Sequence, residues 1–120
     1  MATVTESRDV PNPDTKPGVR IYTWVLTTAN ADGNPVDLTP FPDKTVHIFG
    51  TFGSGTLTIQ GSNDGSDWQS LRDPQGNAIA KTASYLGAIL ENPRYLRPNL
   101  TGSTGATVTV ILVARGVMPV

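Results

Sequence analysis

Apolar and polar residues alternate with a period of two along most of this chain, which is the spacing of side chains on β-strands. Turn residues, chiefly Gly, Pro, Asn and Asp, interrupt the alternation at intervals of roughly ten residues. The segments with a strand pattern are 19–28, 44–52, 56–60, 68–71, 78–80, 84–90, 94–100 and 106–115. The sequence therefore predicts an all-β fold, an antiparallel β-sandwich or jelly roll of seven to eight short strands with an extended N-terminal arm.

The first and last of these segments have bulky or β-branched side chains on both faces. In 19–28, Tyr22, Trp24 and Leu26 alternate with Ile21 and Val25, so we expect this strand to be covered, at least in part, on both sides. Segment 106–115, ATVTVILVAR, is nearly continuous in β-branched residues. It is predicted to lie centrally in a sheet.

Two pairing expectations follow from the middle of the chain. Segments 44–52 and 56–60 are separated by a Gly-Ser-Gly turn at 53–55, which predicts a hairpin with one buried and one solvated face. Segment 94–100 contains Pro98, which lacks a backbone donor. It is therefore predicted to be an edge-like strand.

The chain divides into three parts. Residues 1–18 contain three prolines, Pro11, Pro13 and Pro17, and almost no bulky apolar side chain, which favours an extended arm over a helix or a central strand. Residues 19–116 form the predicted β-sandwich domain. Residues 117–120 form a short tail, in which proline ends regular pairing.

Composition excludes several classes of function. The formal net charge is −1 and the basic residues are scattered, so no stripe of positive charge favours nucleic-acid binding. Cysteine is absent, which excludes disulfides and thiolate metal sites. The N-terminal residues lack the apolar core of a signal peptide, and no apolar run is long enough for a membrane span. We expect a soluble protein made in a reducing cytoplasm.

Side chains with catalytic or metal-binding chemistry are sparse. The only histidine, His47, has no nucleophile-elbow motif to accompany it, and it is interpreted as a surface or half-buried imidazole. Asp64, Asp67 and Asp73 either bind calcium or cap turns, and turn capping is favoured because their spacing differs from the twelve-residue calcium loop. The sequence therefore predicts no enzyme activity, no cofactor and no metal.

The two tryptophans have two possible roles. Trp24 and Trp68 either form a platform on which a sugar stacks, as in carbohydrate-binding modules, or anchor the hydrophobic core. Trp68 follows a turn and is spaced with Leu71, which favours the core.

Residues 50–79, with the motif GSNDGSDWQSL followed by DPQGN, resemble small proteins encoded among the head genes of tailed bacteriophages. The later sequence ENPRYLRPNLTG at 91–102, followed by a Val-rich strand ending in VARG, fits the same pattern. The resemblance covers about residues 45–116. It is a resemblance to capsid decoration, or cement, proteins.

This resemblance implies a structural virion protein on the capsid exterior, made in the bacterial host cytoplasm. Such proteins are small β-sandwich homo-oligomers, here expected to be a dimer or trimer, that bind the major capsid protein and bridge neighbouring capsid subunits. The terminal segments are the candidate clamps. Candidate partner-contact residues are Val10, Pro11, Pro13, Pro17, Val117, Met118 and Val120.

Two alternatives accompany this interpretation. The motif Ser-Asn-Asp-Gly-x-x-Trp also resembles the central hairpin of discoidin-type lectin-like domains, which implies a carbohydrate-binding module with Trp24 and Trp68 as stacking residues. Those domains are longer and usually closed by cysteines, which this chain lacks. A tail or tail-completion protein of similar sandwich fold is the other alternative.

Overall fold

The computed structural model describes residues 2–8, 19–38 and 41–116, and these residues form two antiparallel β-sheets packed face to face. The predicted β-sandwich is confirmed. The strands are β1 (Val4–Arg8), β2 (Val19–Thr27), β3 (Val36–Asp37), β4 (Asp43–Thr51), β5 (Thr56–Ser62), β6 (Gln69–Ser70), β7 (Ala80–Lys81), β8 (Tyr85–Ala88), β9 (Tyr95–Thr101) and β10 (Thr107–Arg115).

The first sheet has the strand order β1-β2-β10-β4-β8. β10 pairs along its whole length with β2 on one side and with β4 on the other, so that Val110 lies between Trp24 and Ile48. The prediction that the C-terminal strand is central is therefore confirmed. Its β-branched residues suit a strand that has a neighbour on both edges.

The second sheet has the order β3-β9-β5-β6, and β7 also pairs with β5. β6 and β7 follow one another along one edge of β5: Gln60 is opposite Ser70, whereas Thr58 is opposite Ala80. β9 occupies the other edge of β5 over seven residues. The longest pairing in this sheet is thus between β5 and β9.

One hydrophobic core fills the space between the sheets. Alternate residues of each long strand point inward, as the period of two requires. In β2, Trp24 and Leu26 have no exposed surface, while Val25 between them is 49% exposed. The other fully enclosed large apolar side chains are Leu38, Val46, Ile48, Leu57, Ile59, Ile79, Leu96, Val108 and Leu112.

The predicted hairpin of segments 44–52 and 56–60 is wrong. β4 belongs to the first sheet and β5 to the second, so the turn between them carries the chain from one sheet to the other. Phe52 is buried at this crossing, and its carbonyl accepts a hydrogen bond from Gly55 N at 2.8 Å. Since an inward-facing aromatic side chain anchors the turn, the chain bends across the core instead of folding back in the same sheet.

The prediction that segment 94–100 is an edge-like strand is also wrong, because β9 is an interior strand. Pro98 is accommodated by its orientation. Its carbonyl accepts a hydrogen bond from Gly33 N at 2.9 Å, so its backbone polar side faces residues 31–33 and not β5. The N and C=O groups of a strand residue point the same way, and the missing donor therefore leaves the β5–β9 ladder intact.

Two strands lie outside the predicted segments. β1 falls within the predicted arm and pairs with β2 as an edge strand, while β3, a pair of residues, falls in the connection after β2. β1 continues the sheet because Val4 lies opposite Trp24 and packs against the core. The described part of the chain contains no helix that is long and apolar enough to cross a membrane.

Candidate functional site

The residues predicted to contact a partner are Val10, Pro11, Pro13, Pro17, Val117, Met118 and Val120, and all of them lie outside the described residues. The strands that flank segments 9–18 and 117–120 are defined. β1 ends at Arg8, β2 begins at Val19, and β10 ends at Arg115 opposite Val19. Both segments therefore leave the same end of the first sheet, which we call the arm end.

A buried lysine braces the arm end. Lys44 is only 1% exposed, and its ammonium group donates hydrogen bonds to Asn92 Oδ1 at 2.6 Å and to the carbonyl of Phe41 at 3.3 Å. Burial lowers the pKa of Lys44, and the negative charges of Asp43 and Glu91 oppose that shift only in part. These contacts connect the start of β4 to the loop before β9. They hold together the backbone at the arm end, where segments 9–18 and 117–120 begin.

The acidic cluster of the Asn-Asp-Gly segment is built as a turn. Asp64 Oδ1 accepts hydrogen bonds from the backbone N–H groups of Ser66 at 2.8 Å and Asp67 at 2.9 Å, and from the Ser62 hydroxyl at 2.9 Å. These bonds hold the pKa of Asp64 well below its usual range. The same carboxylate raises the pKa of Asp67 through a side-chain hydrogen bond and its negative charge.

The third acidic residue caps a separate turn. Asp73 Oδ1 accepts hydrogen bonds from the N–H groups of Gln75 and Asn77, both at 3.0 Å. The favoured interpretation as turn caps agrees with these contacts for Asp64 and Asp73, whereas no described contact makes the side chain of Asp67 a cap. Within the described ranges, no three His, Asp or Glu side chains come together as a group that could hold a metal ion.

Asp64→Ala is expected to lower the melting temperature at pH 7, because three donors lose their acceptor. The pKa of Asp64 is lower in the folded than in the unfolded chain. Its stabilisation is therefore present above the ordinary aspartate pKa of about 4 and is lost as the pH falls toward the folded-state pKa. Thermal melts from pH 7 to pH 2 should show the difference between wild type and variant shrinking below about pH 4.

Asp67→Ala is the matched control for this turn. The pKa of Asp67 is raised in the folded chain, so the negative charge of Asp67 at pH 7 opposes folding. Removal of this carboxylate should leave the melting temperature unchanged or raise it. Equal losses in the two variants would contradict the assignment of Asp64 as the cap.

The glycan-stacking alternative is corrected for Trp24. This side chain is completely buried, and its indole Nε1–H donates a hydrogen bond to the carbonyl of Asn34 at 2.9 Å. It is therefore a core anchor and offers no ring face to a sugar. The favoured core position of Trp68 is wrong, because Trp68 is half-buried outside the core cluster. It lies on the outside of the second sheet, where the Arg97 guanidinium carbon is 4.3 Å from the centre of its ring. This contact occupies one face of the ring.

His47 is exposed on the outer side of β4, as one of the two sequence interpretations expected. Its ring lies 4.8 Å from the ring of Phe49, two residues along the strand. Its neighbours across the strands are Ile111 and Leu86. The position is that of a surface residue within an apolar patch.

An open groove lies at the rim of the second sheet. It has a volume of about 430 Å³ and lies beside Asn63, Asn92, Pro93 and Arg94. Asn63 Oδ1 accepts a hydrogen bond from the Arg94 backbone N–H at 3.0 Å, which holds the two walls together. Sequence reasoning did not identify this groove, because its walls are thirty residues apart in the chain.

Neither a scan against protein-family models nor a search of curated proteins gives a match for this chain.

Proposed function

We propose that this chain is a non-enzymatic structural virion protein that binds the outer surface of a phage capsid and bridges neighbouring capsid subunits. Its partners in this proposal are the major capsid protein and further copies of itself, in a dimer or trimer. The identification with the phage decoration family comes from the sequence motif at 61–71. The geometry supplies the means by which such a protein could attach.

The supporting observation is the common origin of the two candidate clamps at the arm end. Ten residues fixed at both ends, as in segment 9–18, can reach no more than about 17 Å from the sheet, and a four-residue tail reaches about 14 Å. Both distances suffice to contact a neighbouring subunit. Contacts of this size are weak singly, but many copies on a symmetric shell give high avidity.

The alternatives have less support. For a carbohydrate site built on the tryptophans, Trp24 is not accessible because it is buried in the core. One face of the Trp68 ring is covered by Arg97. A tail or tail-completion protein would use the same sandwich, but no described contact favours that role.

The test is co-sedimentation with capsids of the phage or prophage that encodes the chain. Wild-type protein should pellet with the capsids and raise the temperature at which they break open. A variant with residues 10–17 replaced by a Gly-Ser segment of equal length and residues 118–120 deleted should bind at least ten-fold more weakly, about 1.4 kcal/mol. This design keeps β1 in place, whereas deletion of residues 1–18 would remove an edge strand.

Ala29→Ser is the control, because Ala29 is exposed just beyond Thr27 at the opposite end of β2. Its attachment should equal that of the wild type, and circular dichroism should show the same β-fold in all three proteins. A wild-type protein that stays in the supernatant would refute the capsid proposal. Unchanged binding of the replaced variant would refute the clamps alone.

A further inference from the structure

The first sheet has an outer face that departs from the usual pattern of a solvated sheet. Its side chains come from the alternate positions that point away from the core. The strand registers arrange them in rows across the sheet. The outer face, as we use the term, consists of Ile21, Thr23, Val25, Thr27, Thr45, His47, Phe49, Thr51, Leu86, Ala88, Thr107, Thr109, Ile111 and Val113.

No Asp, Glu, Lys or Arg occurs in these rows, and large apolar side chains remain accessible. Leu86 is 65% exposed and Val25 is 49% exposed, and Ile111 at the centre is only partly buried. The charged residues Arg115 and Asp43 are opposite each other in the strand register at the arm end, beyond the last row. Half of the fourteen residues of the outer face are apolar and the rest are Thr or His. An outward face of an antiparallel sheet is normally polar and charged, so an uncharged face with this many apolar side chains indicates a contact surface.

The outward side of the second sheet follows the usual rule and provides an internal comparison. Across β5 and β9 the outward pairs are polar or charged: Gln60 opposite Arg97 and Thr58 opposite Asn99. Arg97 Nε also donates a hydrogen bond to Gln60 Oε1 at 3.0 Å. These outward pairs of the second sheet thus contain none of the Ile, Val, Leu and Phe side chains found in the outward rows of the first sheet.

The outer face is close in size to the smaller standard interfaces. Of the five strands of the sheet, β2, β4 and β10 are nine residues long, β1 has five residues and β8 has four. With strands about 4.8 Å apart and a rise of about 3.3 Å per residue, the sheet covers about 570 Å² in projection. Standard interfaces begin at about 600 Å² on each partner.

We infer that the outer face is the contact between two copies of this chain, related by a two-fold axis. A two-fold contact places the same patch on both partners, so a charged patch would face its own sign. A patch free of charge avoids this repulsion. It also has no charged side chain that could form an ion pair with a charged partner. Homodimer contacts are also the more apolar class of interface. The inference rests on the proposal that this chain forms a homo-oligomer. It specifies that the oligomer is a dimer and that the outer face is the contact.

Sedimentation equilibrium of Ile111→Lys tests the assignment. Ile111 is at the centre of the outer face on the central strand, between Thr23 and His47, and its side chain points away from the core. The wild type should have twice the chain mass of 12.7 kDa, and the variant should be a monomer with at least ten-fold weaker association. Thr58→Lys places the same charge centrally on the other sheet and should remain a dimer.

A labelling experiment covers the case in which Ile111→Lys fails to fold. The chain has no cysteine, so Ile111→Cys and Thr58→Cys each introduce a single thiol. Alkylation of Cys at position 111 should slow at least ten-fold as the protein concentration rises through the dimer range, whereas Cys at position 58 should react at one rate throughout.

Three results would overturn the inference. The first is a wild type that is monomeric at 100 μM, and the second is an Ile111→Lys variant that is dimeric. The third is a thiol at position 111 that is protected equally at every concentration, which would mean that the chain covers its own face. If the wild type is monomeric and Ile111→Lys loses capsid attachment, the face contacts the shell, and the capsid proposal stands without the dimer.

Discussion

Replacement of Trp24 by alanine is expected to lower the free energy of unfolding by about 3–5 kcal/mol, the range observed for loss of a large aromatic side chain from a core. The stability of a native domain is about 5–15 kcal/mol, so this loss removes a large part of the total. Trp24 has no exposed surface and packs at the centre of β2, where it lies opposite Val110. Its loss also leaves the Asn34 carbonyl without its indole donor.

Urea denaturation followed by circular dichroism measures this effect, and the second tryptophan is its control. Trp68→Ala removes the same side chain from a half-buried position, where it contacts Arg97, and should cost about 1 kcal/mol. Trp24→Phe should fall between the two, because it keeps a ring in the core but loses the bond to Asn34. If Trp24→Ala were no more costly than Trp68→Ala, the assignment of Trp24 as a core anchor would fail.

The crossover between the sheets should be the second most sensitive place. Gly53→Ala is expected to cost about 2–4 kcal/mol, from left-handed backbone strain of about 1 kcal/mol and steric overlap of about 1–3 kcal/mol. Gly53 has φ +56°, and a Cβ atom built there would lie 2.1 Å from the carbonyl oxygen of Thr104. Thr104 cannot retreat freely, because its N–H donates to the Gly53 carbonyl at 2.9 Å.

Gly105→Ala separates the two causes in the same denaturation experiment. Gly105 has a similar φ of +62°, but nothing lies within 4 Å of the position of its Cβ. Gly105→Ala should therefore lower the free energy of unfolding by about 1 kcal/mol, from backbone strain alone, with no contribution from steric overlap. Equal costs for the two variants would show that the contact with Thr104 does not constrain the crossover.

The turn caps at Asp64 and Asp73 could be predicted because each cap depends only on the residues of its own turn. Asp64 and Asp73 were favoured as turn caps because aspartate accepts hydrogen bonds from N–H groups two to four residues away, and their contacts have this form. The bracing contact of Lys44 with Asn92 spans 48 residues, and the contact of Arg97 with Trp68 spans 29. The alternation of apolar and polar residues does not predict such pairs, because both depend on which strands become neighbours.

The candidate site divides in the same way. The sequence identified the two terminal segments by their prolines, but their common origin at the arm end follows from the pairing of Val19 with Arg115, 96 residues apart. The sequence indicated apolar side chains on both faces only for the segments that form β2 and β10. The extent of the outer face became visible once β2, β10, β4 and β8 were placed side by side.

The sequence by itself determined where the strands lie and which of their residues point inward, because a period of two assigns faces without reference to any other strand. All eight predicted segments overlap a strand, segment 78–80 by one residue, and the buried residues of β2 and β10 fall on alternate positions. Only the tertiary structure decided which strands share a sheet. It separated β4 from β5 and placed β9 in the interior, since burial of Phe52 and the orientation of Pro98 depend on partners distant in the chain. Alternation fixes the face of a strand, and packing across the whole core fixes its neighbours.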